Sequence, residues 1–446
     1  MKKIISLVFM FISCIGIYAQ QIMDATAAYK KANDLLERLT IEEKALMVRG
    51  YNKFFIKGFE EKGILPIYLS DATQGVNIRN NLPDPNVVKQ LERSTAFPSP
   101  ILLASTFSPD LSYQYAKAIG EECRAGGIEV LLGPGLNIYR QSQCARNFEY
   151  FGEDPYLVSQ MVSQYVTGLQ STGTAACLKH FYGNNTEFYR KRSNSIISER
   201  AMNEIYLPGF KAGIDAGAMS VMTSYNQIDG EWAGQSSYVI KNILREKLGF
   251  KWLVMSDWNS VWNLEKVIKS GQNLEMPGSY NFGESVLGLY HQKKITEKDL
   301  DDMVRPILAT CIAMGFYDRS KYDLSLLDKY QEHEKIARQV AEEGIVLLKN
   351  RDNILPLDPT KNRKILLTGK FIYEIPRGYG AAEVIGYNNV SLIEALQRAF
   401  GRTVYYIEKP TVADIKEADI VLLSMGTRDK DCLLYTSPSP RDSTSS

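Results

Sequence analysis

Apolar, strand-like runs that each stop at a small cluster of polar, chemically capable residues recur along most of this 446-residue chain. PIYLSDATQG reaches Asp71, EVLLGPGLNIYRQSQCARNFE reaches Arg146, and AACLKHF ends at Lys179-His180. AMSVMTSYN ends at Tyr225-Asn226, WLVMSDW at Asp257-Trp258 and NLEMP at Glu275. Helical stretches with proper ends lie between several of these runs. In FSPDLSYQYAKAIGEECRAGG, Ser108 can cap, Pro109 suits the first turn and Gly126-Gly127 stops the helix. GEDPYLVSQMVSQYVTGLQSTG repeats the design with Asp154, Pro155 and Gly173. Alternating strand and helix units predict a parallel sheet, and six to eight such units predict an α/β fold of the TIM-like (β/α)8 barrel type. All strand C-termini of such a barrel face one mouth, so residues placed there converge on one pocket. One polar cluster alone would be an ordinary loop start; the repetition is what points to catalysis.

Hydrophobic residues make up 45% of the chain, enough for a large core and more than one domain. Lys+Arg 52 against Asp+Glu 51 leaves no electrostatic case for nucleic acid or for an anionic membrane surface. The start, MKKIISLVFMFISCIGIYAQ, has two lysines, a short apolar stretch and a plausible cleavage point after Ala19. It predicts a signal peptide over 1–19, a periplasmic or extracellular address, and no membrane partner after cleavage. Phe11-Ile12-Ser13 before Cys14 makes a poor lipoprotein box. Cys123, Cys144, Cys177 and Cys311 show no CxxC spacing and no partnered His pattern, so neither a zinc site nor any other metal or cofactor is expected.

A barrel domain is expected over 24–320, a polar linker over 321–340 and a partial α/β sandwich domain over 341–431. KILLTGKF reads as the first strand of that second domain, and PRGYGAAEV as a Gly-containing turn. Gly378-x-Gly380 fits neither a Walker nor a dinucleotide spacing. ADIVLLSMGTRDK is a strand with a polar ending that needs a following helix, but CLLYTSPSPRDSTSS follows it. The tail over 432–446 reads as non-native, with a natural disordered terminus as the alternative. A sheet lacking strands predicts unpaired edges, an exposed apolar face and poor stability.

Asp257 is the sharpest catalytic candidate. A carboxylate fixed at the end of an apolar strand is suited to attack an anomeric carbon, with Trp258 as an apolar wall. Lys179 and Arg146 could supply the countercharge that a buried carboxylate requires. The plainer reading of Asp257 is a helix N-cap for the segment after Trp258. Lys179, His180 and Arg146 read as hydroxyl grips, and Asp71 as a carboxylate that accepts from two neighbouring hydroxyls. Their plainer readings are a satisfied core histidine for His180, an ion pair with Glu149 or Glu153 for Arg146, and an Asx-turn before Gly75 for Asp71. Glu275 reads as a structural hydrogen-bonding residue.

KHFYGNN, VMTSYNQIDG, VMSDW, RNFEYFGEDPYL and ARQVAEEGIVLLKNRDNILPL occur here in an order that resembles glycoside hydrolase family 3, in its β-glucosidase-like branch. The resemblance covers residues 30 to 430. It implies a barrel followed by a truncated sandwich domain, and a retaining, exo-acting hydrolase of terminal non-reducing β-D-glucosyl residues that uses no cofactor. It also implies that Asp257 is the nucleophile, that Asp71, Arg146, Lys179, His180 and Tyr225 line the first sugar subsite, and that Trp258 lies beside the nucleophile. Met222 and Glu149 match the pattern with less defined roles. Asp71-Ala72-Thr73 stands where the family usually has Asp-Gly-Pro, and Ala145 replaces a common Gly. The Lys-His-Phe-Pro-Gly-His motif of the single-domain N-acetylglucosaminidases is missing, with Tyr182-Gly183-Asn184 in its place.

Retention needs a second carboxyl roughly 5 Å from the first. The family's acid/base Glu lies on a loop of the second domain, beyond a strand like IVLLSMGTRDK, so it is expected to be lost by truncation. Three other functions stay open: a β-xylosidase of the same family, a non-catalytic sugar-binding fragment, and a lyase using Lys179 as a Schiff base. The expected partner is an oligosaccharide or β-glucoside.

Overall fold

The computed structural model describes residues 22–71, 73–78, 91, 93–278, 282–378 and 380–426. The predicted signal segment and the tail from 432 lie outside the described residues. Among the described residues, ten short strands belong to the first part of the chain: β1 (Gly50–Tyr51), β2 (Phe55–Ile56), β3 (Ile67–Ser70), β4 (Val130–Leu131), β5 (Ala175–Phe181), β6 (Asn194–Ser195), β7 (Ser220–Thr223), β8 (Gln227–Ile228), β9 (Glu231–Trp232) and β10 (Leu253–Met255). The main sheet runs β1-β2-β3-β4-β5-β7-β10. Met255 then bridges Leu274, and Glu275 bridges Arg49, both in parallel. The Gly50 N–H donates to the Glu275 carbonyl at 2.7 Å, and the Glu275 N–H to the Val48 carbonyl at 2.9 Å. These bonds return the sheet to β1, so it closes into a barrel with residues 274–275 at the eighth position.

The barrel reading holds, with one strand reversed. β2 is antiparallel to both β1 and β3. Only residues 52–54 separate β1 from β2, whereas a parallel neighbour needs a crossover of about a dozen residues. A tight turn therefore forces the reversal, and Asn52 and Lys53 take positive φ values to make it. From β3 onward the strands of the main sheet are parallel and buried along their whole length. That burial fits strands covered by side chains inside and helices outside.

The caps read from the sequence are the ones that form. The Ser108 side chain accepts from the Leu111 N–H at 3.2 Å at the head of the helix Pro109–Ala125. Asp154 accepts from the Tyr156 N–H at 2.7 Å at the head of Pro155–Gln170. These two helices pack closely because glycine stands at both contact points. A Cβ on Gly168 would lie 2.2 Å from the Tyr113 carbonyl oxygen, and one on Gly120 would lie 2.9 Å from that of Leu169.

The helix Tyr330–Gly344 runs through residue 341 and packs on Pro109–Ala125. It is fastened by a buried charge cluster. His333 Nδ1 lies 2.9 Å from Glu122 Oε1, and Nε2 lies 3.0 Å from Glu121 Oε2. Glu122 also accepts from the Thr95 N–H at 2.9 Å and the Thr95 hydroxyl at 2.6 Å, and Lys329 donates to Glu121 at 2.7 Å. Beyond this helix, β11 (Ile365–Gly369), β12 (Val404–Tyr406) and β13 (Ile420–Ser424) form a parallel sheet in the order β12-β11-β13. It has its own small core of Ile365, Leu367, Ile372, Ile393, Val404 and Ile420. Val421 and Leu423 on β13 are exposed, as expected for a sheet face without a cover among the described residues. The Gly-containing turn reaches back to the barrel mouth, where Asn77 Nδ2 donates to the Gly380 carbonyl at 3.0 Å.

Burial alone would push the His333 imidazole down, but hydrogen bonds from its ring to Glu121 and Glu122 more than offset this and raise its pKa from 6.5 to about 9. A raised folded-state pKa contributes stability that is full below pH 6.5 and is lost as pH rises through about 9. Chemical denaturation between those pH values is expected to show falling stability in the wild type and a flat profile in His333→Gln. Replacement by Ala should cost about 3–5 kcal/mol, because two carboxylates lose a buried partner. A flat wild-type profile would refute the charged-imidazole assignment.

Candidate active site

Asp71, Lys179, His180, Tyr225, Asp257 and Trp258 lie at or just beyond the mouth end of a barrel strand, Arg146 lies far along the excursion that follows β4, and all are buried. Asp71 follows β3 directly, and its carbonyl closes the next turn by accepting from the Asn77 N–H at 3.2 Å. Lys179 and His180 lie within β5, where the pairing register with β7 breaks between Leu178 and Phe181. Met222 is on β7, in register with Met255 on β10. Tyr225 lies two residues beyond β7, and Asp257 and Trp258 follow β10.

The chain after β4 stays attached to β5. Lys179 N–H donates to the Pro134 carbonyl at 3.1 Å, and Leu136 N–H to the Lys179 carbonyl at 2.6 Å. This pairing delivers Asn137, whose side chain stands in for a strand neighbour: its amide donates to the His180 carbonyl at 3.2 Å, and its oxygen accepts from the His180 N–H at 2.9 Å. His180 Nδ1 also lies 3.2 Å from the Tyr150 hydroxyl and 3.2 Å from Asn137 Oδ1. One ring nitrogen is thus held by structure, while Nε2 faces the Asp257 carboxylate at 3.6 Å. The plainer reading of His180, a histidine satisfied by its surroundings, describes its Nδ1.

Asp257 is not the helix N-cap that the plainer reading offers. The next helix, Leu264–Ser270, is capped by Asn263. Asp257 Oδ1 instead accepts from the Trp258 N–H at 2.7 Å, which fixes the carboxylate's rotation. Trp258 is buried, its ring 5.1 Å from that of Phe54 at the β1–β2 turn.

Arg146 donates from Nε to Glu149, the nearer of the two partners weighed for it, and its Nη1 lies 3.8 Å from Glu187. Glu187 also binds Arg190 and accepts from Asn184 Nδ2 at 2.9 Å. The Arg190 guanidinium stacks 4.2 Å from the centre of the Tyr225 ring. Burial alone would weaken the charge on both arginines, yet Glu149 and Glu187 hold their pKa values up, and the Asp257 carboxylate adds to this at both. Cys177 on β5 gives an internal gauge of proximity. Burial pushes its thiol to about 12, with Lys179 acting to lower it and Asp257 and Asp71 acting to raise it. The ends of β5 and β10 meet directly where His180 Nε2 lies 3.6 Å from the Asp257 carboxylate.

Arg190, Glu187 and Asn137 contact the site residues and were missed by sequence reasoning. Arg190 and Glu187 sit in GNNTEFYRKRS, a polar stretch that reads as plain loop, and nothing local says that it folds back into the cup. Asn137 had a usable signal, a lone amide between Leu136 and Ile138. Among the described residues no group of His, Cys, Asp and Glu is arranged to hold a metal ion.

The family model described as "Glycosyl hydrolase family 3 N terminal domain" matches residues 86–308, and "Glycosyl hydrolase family 3 C-terminal domain" matches 345–443. A thermostable beta-glucosidase B from Acetivibrio thermocellus is 34% identical over 83% of this chain and 49% of its own length. An exo-alpha-(1->6)-L-arabinopyranosidase from Bifidobacterium breve is 34% identical over 87% of this chain and 54% of its own. Beta-glucosidase 3B from Thermotoga neapolitana, solved in complex with α-D-glucose, superposes with a TM-score of 0.76 at 34% identity, covering 85% of this chain and 55% of that one. The chain spans about half the length of these relatives.

Glu187→Gln removes the countercharge that Arg146 and Arg190 share inside the cup. It is expected to cost about 3–5 kcal/mol in urea denaturation. Glu204→Gln, which breaks the exposed pair with Arg200, should cost less than about 1 kcal/mol. Equal effects would show that the cup charges are not coupled.

Proposed function

We propose, on the premise that this chain belongs to glycosyl hydrolase family 3, that it is the nucleophile-bearing portion of a retaining, exo-acting β-glucosidase that cleaves terminal non-reducing β-D-glucosyl residues. The observation that carries this reading is the Asp257 carboxylate. It is fully buried at the end of β10, fixed by the Trp258 N–H, and faced by His180 within reach of the charges of Arg146 and Arg190. In this reading Asp257 Oδ2 attacks the anomeric carbon as the bond to the leaving oxygen breaks, and an acid gives that oxygen its proton. Water then hydrolyses the glycosyl-enzyme. Asp71, Arg146, Lys179, His180 and Tyr225 hold the sugar hydroxyls, and Trp258, braced by Phe54, forms the wall beside C1.

Glu149 and Glu187 are engaged with arginines and are not assigned as the acid. Glu275 contributes its backbone to barrel closure. The reading puts the acid on a second-domain loop after β13, outside the described residues. A periplasmic or extracellular address, by way of the signal segment, belongs to the same proposal. The arabinopyranosidase among the relatives supports a second reading, a pentopyranosidase, and the β-xylosidase alternative falls with it in that class.

Intact mass measured after incubation with 2,4-dinitrophenyl 2-deoxy-2-fluoro-β-D-glucoside should rise by one fluoroglucosyl unit. The adduct should map to Asp257 and be absent in Asp257→Asn, and an adduct that persists in the variant overturns the nucleophile. The xyloside and α-L-arabinopyranoside reagents decide the sugar.

A further inference from the structure

Arg245 is held in place by neutral groups alone. It stands on the helix Tyr238–Lys247, which leads into β10 from the end of the barrel opposite the mouth. A guanidinium has five N–H groups to satisfy. Nη1 donates to the carbonyls of Phe250 at 3.3 Å and Trp252 at 2.6 Å. Nη2 donates to the Gly271 carbonyl at 3.1 Å and to Asn273 Oδ1 at 2.7 Å. These four bonds use up both Nη groups and leave the Nε–H without a partner among the described residues. No carboxylate among the described residues pairs with Arg245 either, whereas Arg146 and Arg190 in the cup are each bound to a glutamate. Burial pushes the Arg245 pKa down to about 10, with Tyr29 acting the other way, so the side chain is still a cation at neutral pH.

Arg245 lines a groove of about 530 Å³, a volume usual for a small-molecule site. Tyr29, Phe250 and Pro306 give it walls made of rings, and the Tyr29 hydroxyl is fixed by donating to the Lys251 carbonyl. Lys241 and Lys251 add two more cations to the lining. Asp302 also lines the groove, but its carboxylate is already engaged by Lys298 and by Arg305, the latter at 2.8 Å. Positive charge is therefore in excess here. The geometry points to this groove as a binding site for a small aromatic carboxylate, with its ring among Tyr29, Phe250 and Pro306 and its charge beside the Arg245 guanidinium. A phosphate would want several convergent donors, and Arg245 has a single N–H to spare. Four bonds fix the guanidinium in advance, so little rotamer freedom is lost on binding. Six residues at about 3.3 Å each separate Lys251 from Asp257, which sets the groove roughly 20 Å from the cup. The inference is independent of which sugar the cup takes.

The test is calorimetry on the whole chain with benzoate as the probe and benzamide as its neutral counterpart. Benzoate should bind at least about ten-fold more tightly than benzamide and should raise the melting temperature. Glucose affinity should be the same with and without benzoate. Arg245→Gln should abolish benzoate binding, but it also strips four acceptors of their donor. The double variant Lys241→Glu, Lys251→Glu leaves those four bonds alone and reverses the charge around the groove, so it carries the test even if Arg245→Gln does not fold. It should weaken benzoate by about five- to ten-fold and melt, without benzoate, at the wild-type temperature. Absence of benzoate binding, equal affinity for benzoate and benzamide, or a double variant that binds benzoate as the wild type does overturns the inference. Inorganic phosphate binding as tightly as benzoate would mean an adventitious ion only, and overturns it too. Benzoate that competes with glucose would be seated in the cup, which equally overturns it and leaves the glycosidase reading untouched.

Discussion

Two backbone hydrogen bonds decide whether this chain has a site at all. The exchange between Val48, Gly50 and Glu275 joins the last barrel position to the first. With the ring closed, strand ends from Asp71 to Trp258 must face a common axis. An open sheet would spread the same residues along an edge. Closure also explains why Glu275, which the sequence offers as one more polar strand end, is a structural residue: its peptide group is used by the ring itself.

Convergence brings an electrostatic cost that the site meets locally. Asp257, Glu149 and Glu187 are wholly or almost wholly inaccessible, and so are Arg146, Arg190 and Lys179. Isolated charges in such surroundings would each cost several kcal/mol. Here the arginines bind glutamates first and extend their field to Asp257 second. Arg146 is therefore both the structural ion pair and the charged neighbour that the sequence presented as alternatives. The cations around Asp257 are thus held by Glu149 and Glu187.

The barrel and the residues gathered at its mouth were legible because they rest on local signals. Strand runs with polar endings, Ser108-Pro109 and Asp154-Pro155 at helix heads, and ordered motifs around Asp257 all lie within short windows. The reversed β2 was not legible, since two-residue strands carry no period, and only the brevity of the turn after Tyr51 betrays them. Arg190 and Glu187 stayed hidden because their role depends on a loop folding back across the mouth. The His333 cluster was hidden for a similar reason, as its partners Glu121 and Glu122 are more than 200 positions away. Long-range charge pairing leaves no periodic trace in a sequence.

The reversed strand also bears on how this mouth can diversify. At most strand ends the chain departs on a long excursion before the next helix, and such excursions tolerate insertion. Between β1 and β2 it has three residues, and the last of them, Phe54, braces Trp258. Lengthening that turn would withdraw the brace from the residue beside Asp257. Novelty in substrate range must therefore accumulate on the far rim, around the β5, β7 and β10 excursions, while this sector stays frozen.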